Sequence, residues 1–310
     1  MSADAVAAAP PPGFFSRLAD SEEWLPRILL APAILYIVAS VGGPFIAALV
    51  YGLTDVSISS TAVHFVGLAN FRSVLEDPGF HRALRNTLFL AFVSQGLVIV
   101  LASTLAIALQ RDFRGKWWVR LLILLPWVAP ISLGSIGWLW MLDSIYSVLT
   151  WMLRWAHFLG PWDRVAWLGR PNLAMGSIIG VQVWRTLPLA TVILLGGLSS
   201  IPQDIHDQAE IDGARFWRHL LQITVPLVLP IQLVAILFGF VFATTDMIVV
   251  WVLTRGGPYD TTQVLASMAF FRGIDGGDLA GGAAIALFLF PVLAIAAVVL
   301  LRVARRTEVT

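Results

Sequence analysis

Residues that could carry out covalent chemistry are few in this sequence, and they form no catalytic pattern. The only lysine is Lys116, and a phosphate-binding loop would require Gly-x-x-x-x-Gly-Lys-Ser/Thr around it. Gln110 stands in place of the first glycine and Trp117 in place of the hydroxyl residue, so the chain carries no ATP-hydrolysing site. Without cysteine, a His-Glu-x-x-His pair or a Gly-x-Ser-x-Gly turn, the sequence predicts no catalytic residue, metal site or cofactor in this chain.

A second kind of chemistry is the binding of a polar solute by side chains inside long apolar stretches. Ionisable groups in a bilayer are costly and usually face protein or water. Six residues are candidates to line a substrate pathway: Gln95, Gln182, Arg185, Thr245, Asp246 and Trp251. They could form a polar, aromatic-lined cavity for a hydroxyl-rich solute such as a sugar. The alternative is hydrogen bonding between helices, including an Arg185–Asp246 ion pair.

The composition requires a membrane environment for these residues. Hydrophobic residues make up 58% of the 310-residue chain and charged residues 13%, with a mean hydropathy of +0.83. A soluble domain has about twice that charged fraction. The chain is therefore predicted to be a polytopic membrane protein in contact with lipid. Its net charge of +1 gives no indication of a nucleic-acid partner.

The apolar stretches predict an all-α fold with six transmembrane helices, because each stretch reaches the roughly 20 residues that a span needs. The predicted spans are 28–53, 86–110, 117–141, 172–197, 227–253 and 279–303. The first apolar stretch is too long for a cleavable signal sequence. Residues 1–27 and 304–310 are then two tails on the same side of the membrane.

The basic residues of the loops predict the orientation. The cluster at 111–120 and the tail at 302–306 are the strongest cytoplasmic signals under the positive-inside rule, so both termini are expected in the cytoplasm. Residues 198–226 then also face the cytoplasm. The segments 54–85, 142–171 and 254–278 face outward. The second of these holds an apolar helix at about 145–159 that is too short to span, and we expect it to lie along the outer surface.

The polar stretch 198–226 predicts two short helices around a glycine. Ser200 and Gln203 have the spacing of a capping box, and Gly213 can take the positive φ that ends the first helix. The second helix is expected to present one apolar face, at i, i+3, i+4 and i+7: Trp217, Leu220, Leu221 and Thr224.

The sequence of this stretch resembles the coupling loop of ATP-binding-cassette importer permeases. The pattern of that family is Glu-Ala-Ala, then Asp-Gly-Ala, and later Ile-x-Leu-Pro. The matching positions are Asp207, Gln208, Ala209, Asp212, Gly213, Ala214, Ile223, Val225 and Pro226. Asp207 replaces the first Glu and Gln208 the first Ala. Two further matches are Gly67-Leu68-Ala69-Asn70-Phe71 and the outer loop that runs through Thr254, Gly256, Gly257 and Pro258. From about 28 to 303 the chain resembles the MalF-type sugar permease subunits of carbohydrate importers.

The resemblance implies a type I importer permease in the inner membrane of a bacterial cell. Its partners would be a second, homologous permease, two ATPase subunits holding ATP and Mg, and an extracellular or periplasmic binding protein that delivers a carbohydrate. The residues implied in ATPase coupling are Asp207, Ala209, Asp212, Gly213, Ala214 and Arg215.

An enzymatic alternative remains from the residues alone. A membrane enzyme acting on lipid or glycan at an interface would use Asp143, His157, Asp163 and Arg164. No catalytic spacing supports that interpretation, and co-purification of an ATPase partner would decide between the two.

Overall fold

The computed structural model describes residues 24–60 and 62–307, and within them the all-α prediction is confirmed. Most of the tail 1–27, and the last three residues of the tail 304–310, lie outside the described residues. The only strand-like pairing in the described part is an isolated bridge between Thr54 and Phe65. Five helices are long and apolar enough to cross a membrane, and a bent helix pair would make a sixth span.

Fourteen α-helices are described, and we number them in chain order. The first seven are α1 (Trp24–Ile37), α2 (Gly43–Gly52), α3 (Ala69–Glu76), α4 (Pro78–Gln110), α5 (Lys116–Val128), α6 (Ile131–Met141) and α7 (Val148–Trp155). The other seven are α8 (Pro171–Ser199), α9 (Gln203–Ile211), α10 (Phe216–His219), α11 (Val225–Thr245), α12 (Ile248–Leu253), α13 (Leu265–Phe270) and α14 (Leu279–Thr307).

The N-terminal helices α1 and α2 form the predicted first span, and residues up to Val50 constitute a unit of their own. A π-helical turn, Val38–Gly42, joins the two helices. Pro44 follows that turn and has no N–H to donate, so the hydrogen-bond register changes next to the residue that cannot continue the ladder.

The second unit, from Tyr51 onward, is centred on α4 and α8, which pack along their length. Their contact buries residues such as Val98 and Ala102 of α4 and Ile178 and Leu194 of α8. Small residues at such a contact let two helices approach closely, as membrane helices require. The predicted second span starts too late, because α4 already begins at Pro78, where the side chain of Asp77 caps it by accepting from Gly79 N at 2.7 Å.

The third predicted span, 117–141, is not one straight helix. It consists of α5 and α6, which are bent by 97° at a short break. The break is at Ala129, which has φ −65° and ψ 138° because the residue before a proline is disfavoured in the α conformation. Pro130 then forms the N-cap of α6, and its carbonyl accepts from Gly134 N at 3.0 Å.

The fifth predicted span, 227–253, has different ends in the structure. The chain is helical from α10 through a π-helical turn, Leu220–Thr224, into α11, so Pro226 does not mark a start. Val225 N bonds to Leu220 O in the π-helical register just ahead of that proline. At the other end, the helix stops at Asp246, whose backbone is extended (φ −79°, ψ 120°), and α12 begins two residues later.

Side-chain hydrogen bonds define the two ends of the second unit. At one end, the amide of Asn86 donates to Thr261 O at 2.8 Å and to Gln263 O at 3.0 Å. At the other end, Gln110 Nε2 donates to Leu198 O at 3.4 Å. The loop after α12 therefore lies near the start of α4, and the stretch after α8 lies near the end of α4.

The contact between the π-helical turn Phe271–Asp275 and α14 is the tightest backbone approach at a helical glycine. A Cβ added to Gly282 would lie 2.5 Å from Gly273 Cα and 2.8 Å from Ala269 O.

We expect Gly282→Ala to cost about 1–3 kcal/mol of stability, because backbone atoms cannot move aside as a side chain does. The thermal midpoint of the purified protein in detergent should fall. Gly96→Ala in α4 is the control, since its Cβ would meet nothing within 4 Å; equal midpoints for the two variants would contradict this packing.

Candidate coupling and transport sites

The stretch 198–226 has the predicted form of two short helices around Gly213, here α9 and α10. Gly213 has φ +70°, which confirms the predicted left-handed conformation. Ala214 N bonds to Ala209 O at 2.9 Å and Gly213 N to Glu210 O at 3.0 Å. This pair of bonds is a Schellman motif, which satisfies the carbonyls at the end of α9 and fixes the direction of the chain as it leaves.

The start of α9 differs from the prediction. Pro202 is the N-cap, without a side-chain hydrogen bond, and Ser200 Oγ donates backward to Gly197 O at 2.8 Å. The capping box of Ser200 and Gln203 is therefore absent. Gln203 Nε2 instead donates to Asp207 Oδ1 at 3.1 Å, an i, i+4 pair on the exposed side of α9.

Burial divides the predicted coupling residues into two groups. Ala209 is only 4% exposed, so it faces the bundle, and Ala214 is half-buried. The others are exposed: Asp207, Asp212, Gly213 and Arg215. Ile211, which the sequence analysis did not single out, is 85% exposed beside Asp212. The free side of this turn thus combines two carboxylates, an arginine and one aliphatic side chain.

The predicted apolar face of the second short helix is only partly buried. Thr224 is 7% exposed, but Trp217 and Leu221 are 69% and 61% exposed. The π-helical turn at Leu220–Thr224 breaks the 3.6-residue period on which that prediction depended.

A contact between two histidines joins α9 to α10, and sequence reasoning missed it. His206 Nδ1 lies 2.9 Å from His219 Nε2, and the rings stack with centroids 5.0 Å apart. Thr224 Oγ1 lies 3.3 Å from His219 Nδ1. Gln110 and Arg111, at the end of α4, line the same cleft. The two histidines are thirteen residues apart and belong to no motif, so no sequence signal could have paired them.

The second candidate site centres on Arg185 of α8 and Asp246 at the break between α11 and α12. Arg185 Nη1 and Asp246 Oδ2 form an ion pair, with side chains only 17% and 8% exposed. The other carboxylate oxygen of Asp246 accepts from Ile248 N at 2.7 Å. The guanidinium also lies over the Phe242 ring, 5.9 Å from its centroid. Both oxygens of Asp246 are thus engaged within the protein.

The other predicted pathway residues make separate contacts. The side-chain amide of Gln95 lies so close to Gly239 that a Cβ added to Gly239 would overlap it. Gln182 is 1% exposed. Thr245 Oγ1 donates to Val241 O at 2.8 Å. Trp251 makes its ring contacts with Arg255 and Phe270, at 5.8 and 6.5 Å. The structure therefore brings together only Arg185 and Asp246 in direct contact.

The outer loop at 254–263 is held by its own hydroxyl groups. Gly256 has φ +87°. Thr262 Oγ1 donates to Gly257 O at 2.6 Å, and lies 2.8 Å from Thr254 Oγ1. Pro258 is half-buried. With the bonds from Asn86, these contacts give the loop a fixed shape near the start of α4.

The acidic residues of the enzymatic alternative serve as turn caps. Asp143 Oδ1 accepts from Tyr146 N at 2.8 Å and Ile145 N at 2.7 Å, and these bonds hold the pKa of Asp143 below its usual value. Asp163 Oδ2 accepts from Gly160 N at 2.8 Å. Within residues 24–60 and 62–307, no three His, Cys, Asp or Glu side chains form a group that could hold a metal ion.

Comparison with known proteins identifies the class of this helical membrane protein. Residues 98–309 match the family described as "Binding-protein-dependent transport system inner membrane component". The match covers more than half of the chain. The protein belongs to this family and is a permease subunit of an ABC importer, not an enzyme.

Two relatives and one solved structure agree with that assignment. The trehalose/maltose transport system permease protein MalF of Thermococcus litoralis is 32% identical, over 89% of this chain and 91% of its own. The sulfoquinovosyl glycerol transport system permease protein SmoG of Agrobacterium fabrum is 29% identical, over 91% and 90%. A chain of the crystal structure of a bacterial alginate ABC transporter, in complex with alginate pentasaccharide-bound periplasmic protein, has a TM-score of 0.79 at 20% identity, over 94% and 97%. That likeness shows a shared importer permease fold.

The Arg185–Asp246 pair generates a test of structural against substrate-binding roles. Asp246→Asn keeps an oxygen for Ile248 N but leaves Arg185 without a charge partner, and breaking a buried pair costs about 3–5 kcal/mol. We expect the amount of assembled transporter to fall, as measured by size-exclusion chromatography of a fluorescent fusion. The double variant Arg185→Met, Asp246→Asn should recover much of the loss, because no charge is then left unpaired. Normal assembly of Asp246→Asn with lost uptake would instead make the carboxylate a substrate contact.

Proposed function

We propose that this chain forms half of the translocation pathway of an ATP-driven carbohydrate importer in a bacterial inner membrane. Both named relatives have sugar-containing compounds in their names, trehalose/maltose and sulfoquinovosyl glycerol, which supports a carbohydrate as the solute class. A second, homologous permease provides the other half of the pathway. A periplasmic binding protein delivers the solute at the end of the bundle where the Gly256-Gly257-Pro258 loop lies.

The observation that carries this proposal is the construction of the turn between α9 and α10. Its Schellman motif fixes the backbone, while Asp207, Asp212 and Arg215 are exposed. Such a turn offers charged and apolar groups in a defined arrangement to a cleft on another subunit. We assign that subunit as an ATPase, two copies of which bind ATP and Mg for the complete transporter.

Two contacts provide a mechanical route from the turn into the bundle. The His206–His219 contact joins the two short helices, so they move together when either is displaced. His219 continues directly through the π-helical turn into α11, which ends at Asp246. Closure of the ATPases would thus shift α11 and, through the ion pair with Arg185, α8. The pathway switches access when α11 and α8 move together relative to the second permease.

In the pathway, the Arg185–Asp246 pair shapes the cavity and the solute meets neighbouring groups. Asp246 uses both oxygens within the protein, whereas Trp251 keeps 38% of its surface exposed and can offer a ring face to a sugar. Thr245 is exposed next to the pair and can contribute a hydroxyl. Gln95 and Gln182 are buried in this chain and serve helix packing unless the pathway opens.

The proposed orientation is testable because the chain has no native cysteine. Gln203 and Asp260 are both exposed and belong to opposite ends of the bundle. With the termini in the cytoplasm, Gln203→Cys should resist a membrane-impermeant maleimide in intact cells, and Asp260→Cys should react. Both should react in permeabilised cells, which controls for accessibility. The reverse pattern in intact cells would overturn the orientation.

Gly213 tests the coupling assignment. A β-branched side chain at φ +70° is strained, and the left-handed conformation costs about 1–2 kcal/mol even for ordinary residues. An added Cβ would meet nothing within 4 Å, so the strain remains local to the turn. We expect Gly213→Val to reach the membrane at normal levels while uptake and binding-protein-stimulated ATP hydrolysis are lost together.

The matched control is Gly213→Asn, since asparagine tolerates the left-handed region and should retain most of the uptake. Asp207→Ala should give a milder version of the valine defect. If Gly213→Val transports normally, the turn is an amphipathic connector and the coupling assignment fails.

A further inference from the structure

The helix α7 has an inverted distribution of polar and apolar side chains. Ser147, its N-cap, and Thr150 are each 5% exposed, whereas Trp151 and Trp155 are 62% and 75% exposed. A helix on the surface of a soluble protein shows the opposite pattern, with its apolar side toward the core. The exposed side of this helix therefore suits an apolar surface better than water.

The exposed apolar character continues on both sides of α7. Seven large side chains between positions 145 and 162 have between 52% and 91% of their surface exposed. They are Ile145, Tyr146, Trp151, Met152, Trp155, Phe158 and Trp162. Single exposed apolar residues need no explanation, but so many within a short segment indicate an interaction surface.

Hydrogen bonds keep the polar groups of this segment turned inward. Trp167 Nε1 donates to Thr150 Oγ1 at 2.9 Å, and Thr150 N donates to Ser147 Oγ at 3.1 Å. Ser147 Oγ donates in turn to Met141 O at 2.9 Å. Leu149 packs against the main core. The outward direction of the tryptophans is therefore fixed by the fold.

The composition of the surface identifies what it meets. Tryptophan and tyrosine combine an apolar ring with a polar edge, and they concentrate where acyl chains give way to lipid headgroups. Arg164 lies in the same segment and is exposed, and a guanidinium suits a lipid phosphate. The exposed apolar surface also continues from α6, where Trp140 is 75% exposed.

We propose that residues 142–164 form an interfacial anchor, which lies in the headgroup region of the bilayer with its aromatic side chains toward the acyl chains. The anchor is at the end of the bundle where α8 begins, the end that also holds the 254–263 loop. It secures the far end of the bent α5–α6 pair at the membrane surface. This proposal does not depend on which carbohydrate is carried or on the coupling assignment.

Site-directed spin labelling of the complete transporter in phosphatidylethanolamine/phosphatidylglycerol nanodiscs tests the anchor. Labels are attached to Trp155→Cys and Phe158→Cys, and collision rates are measured with oxygen, which partitions into lipid, and with a neutral nickel chelate, which remains in water. At both positions we expect the collision rate with oxygen to exceed that with the nickel chelate. Asp260→Cys, on the exposed loop at the same end, is the control and should show the opposite order. The parent complex without these cysteines provides the blank for labels on other subunits.

Two outcomes would overturn the proposal. Labels at 155 and 158 that collide mainly with the nickel chelate, as at 260, would place the segment in water. Labels that are protected from both reagents, whether constantly or only after the binding protein is added, would make this surface a protein contact. If Trp155→Cys lowers the yield of the complex, Met152→Cys reports on the same face, since Met152 is 52% exposed.

Discussion

A bilayer offers no hydrogen-bond partners to the backbone, and this constraint governs every irregularity in the chain. Where a helix is interrupted, the structure supplies a local substitute. π-helical turns lie just before Pro44 and Pro226, and Val225 N bonds to Leu220 O in the second of them. The break at Asp246 is closed by its own carboxylate, which accepts from Ile248 N.

The Arg185–Asp246 pair extends this constraint from the backbone to side chains. Asp246 places a carboxylate inside a low-dielectric bundle, where a buried charge is costly unless a cation lies beside it. Arg185 provides that cation and in doing so connects α8 to the break after α11. One interaction therefore stabilises a helix interruption and links α11 to α8, the two helices that our proposal requires to move together.

The turn at Gly213 solves a related problem outside the bundle. In our proposal it keeps a fixed shape while its exposed side chains meet another subunit, although tertiary packing covers only its inner side. The Schellman bonds and the His206–His219 contact provide the rigidity from within the segment itself. Ala209, the only buried residue of α9, holds the turn against the rest of the chain.

The sequence by itself determined the class of protein, the number of long apolar stretches and the left-handed glycine. Those features follow from local composition, because a span needs about 20 apolar residues and Gly213 is followed by a second helical period. The resemblance of the stretch 198–226 to a coupling loop also singled out Asp207, Asp212 and Arg215, which are exposed in the structure. A resemblance of this kind can be read from the sequence because the motif is continuous along the chain.

Only the tertiary structure decided where the helices bend and which polar groups meet. Periodicity cannot distinguish a straight helix from the 97° bend at Ala129–Pro130, because both halves are equally apolar. The sequence offered the Arg185–Asp246 pair only as an alternative to a substrate-binding role, and it gave no sign that His206 meets His219 across a turn. These contacts join residues from separate elements, and their partners are selected by the packing of whole helices. Helix α7 follows the same principle. The hydrogen bond from Trp167 Nε1 to Thr150 Oγ1 turns one face of α7 inward and so decides which face meets lipid.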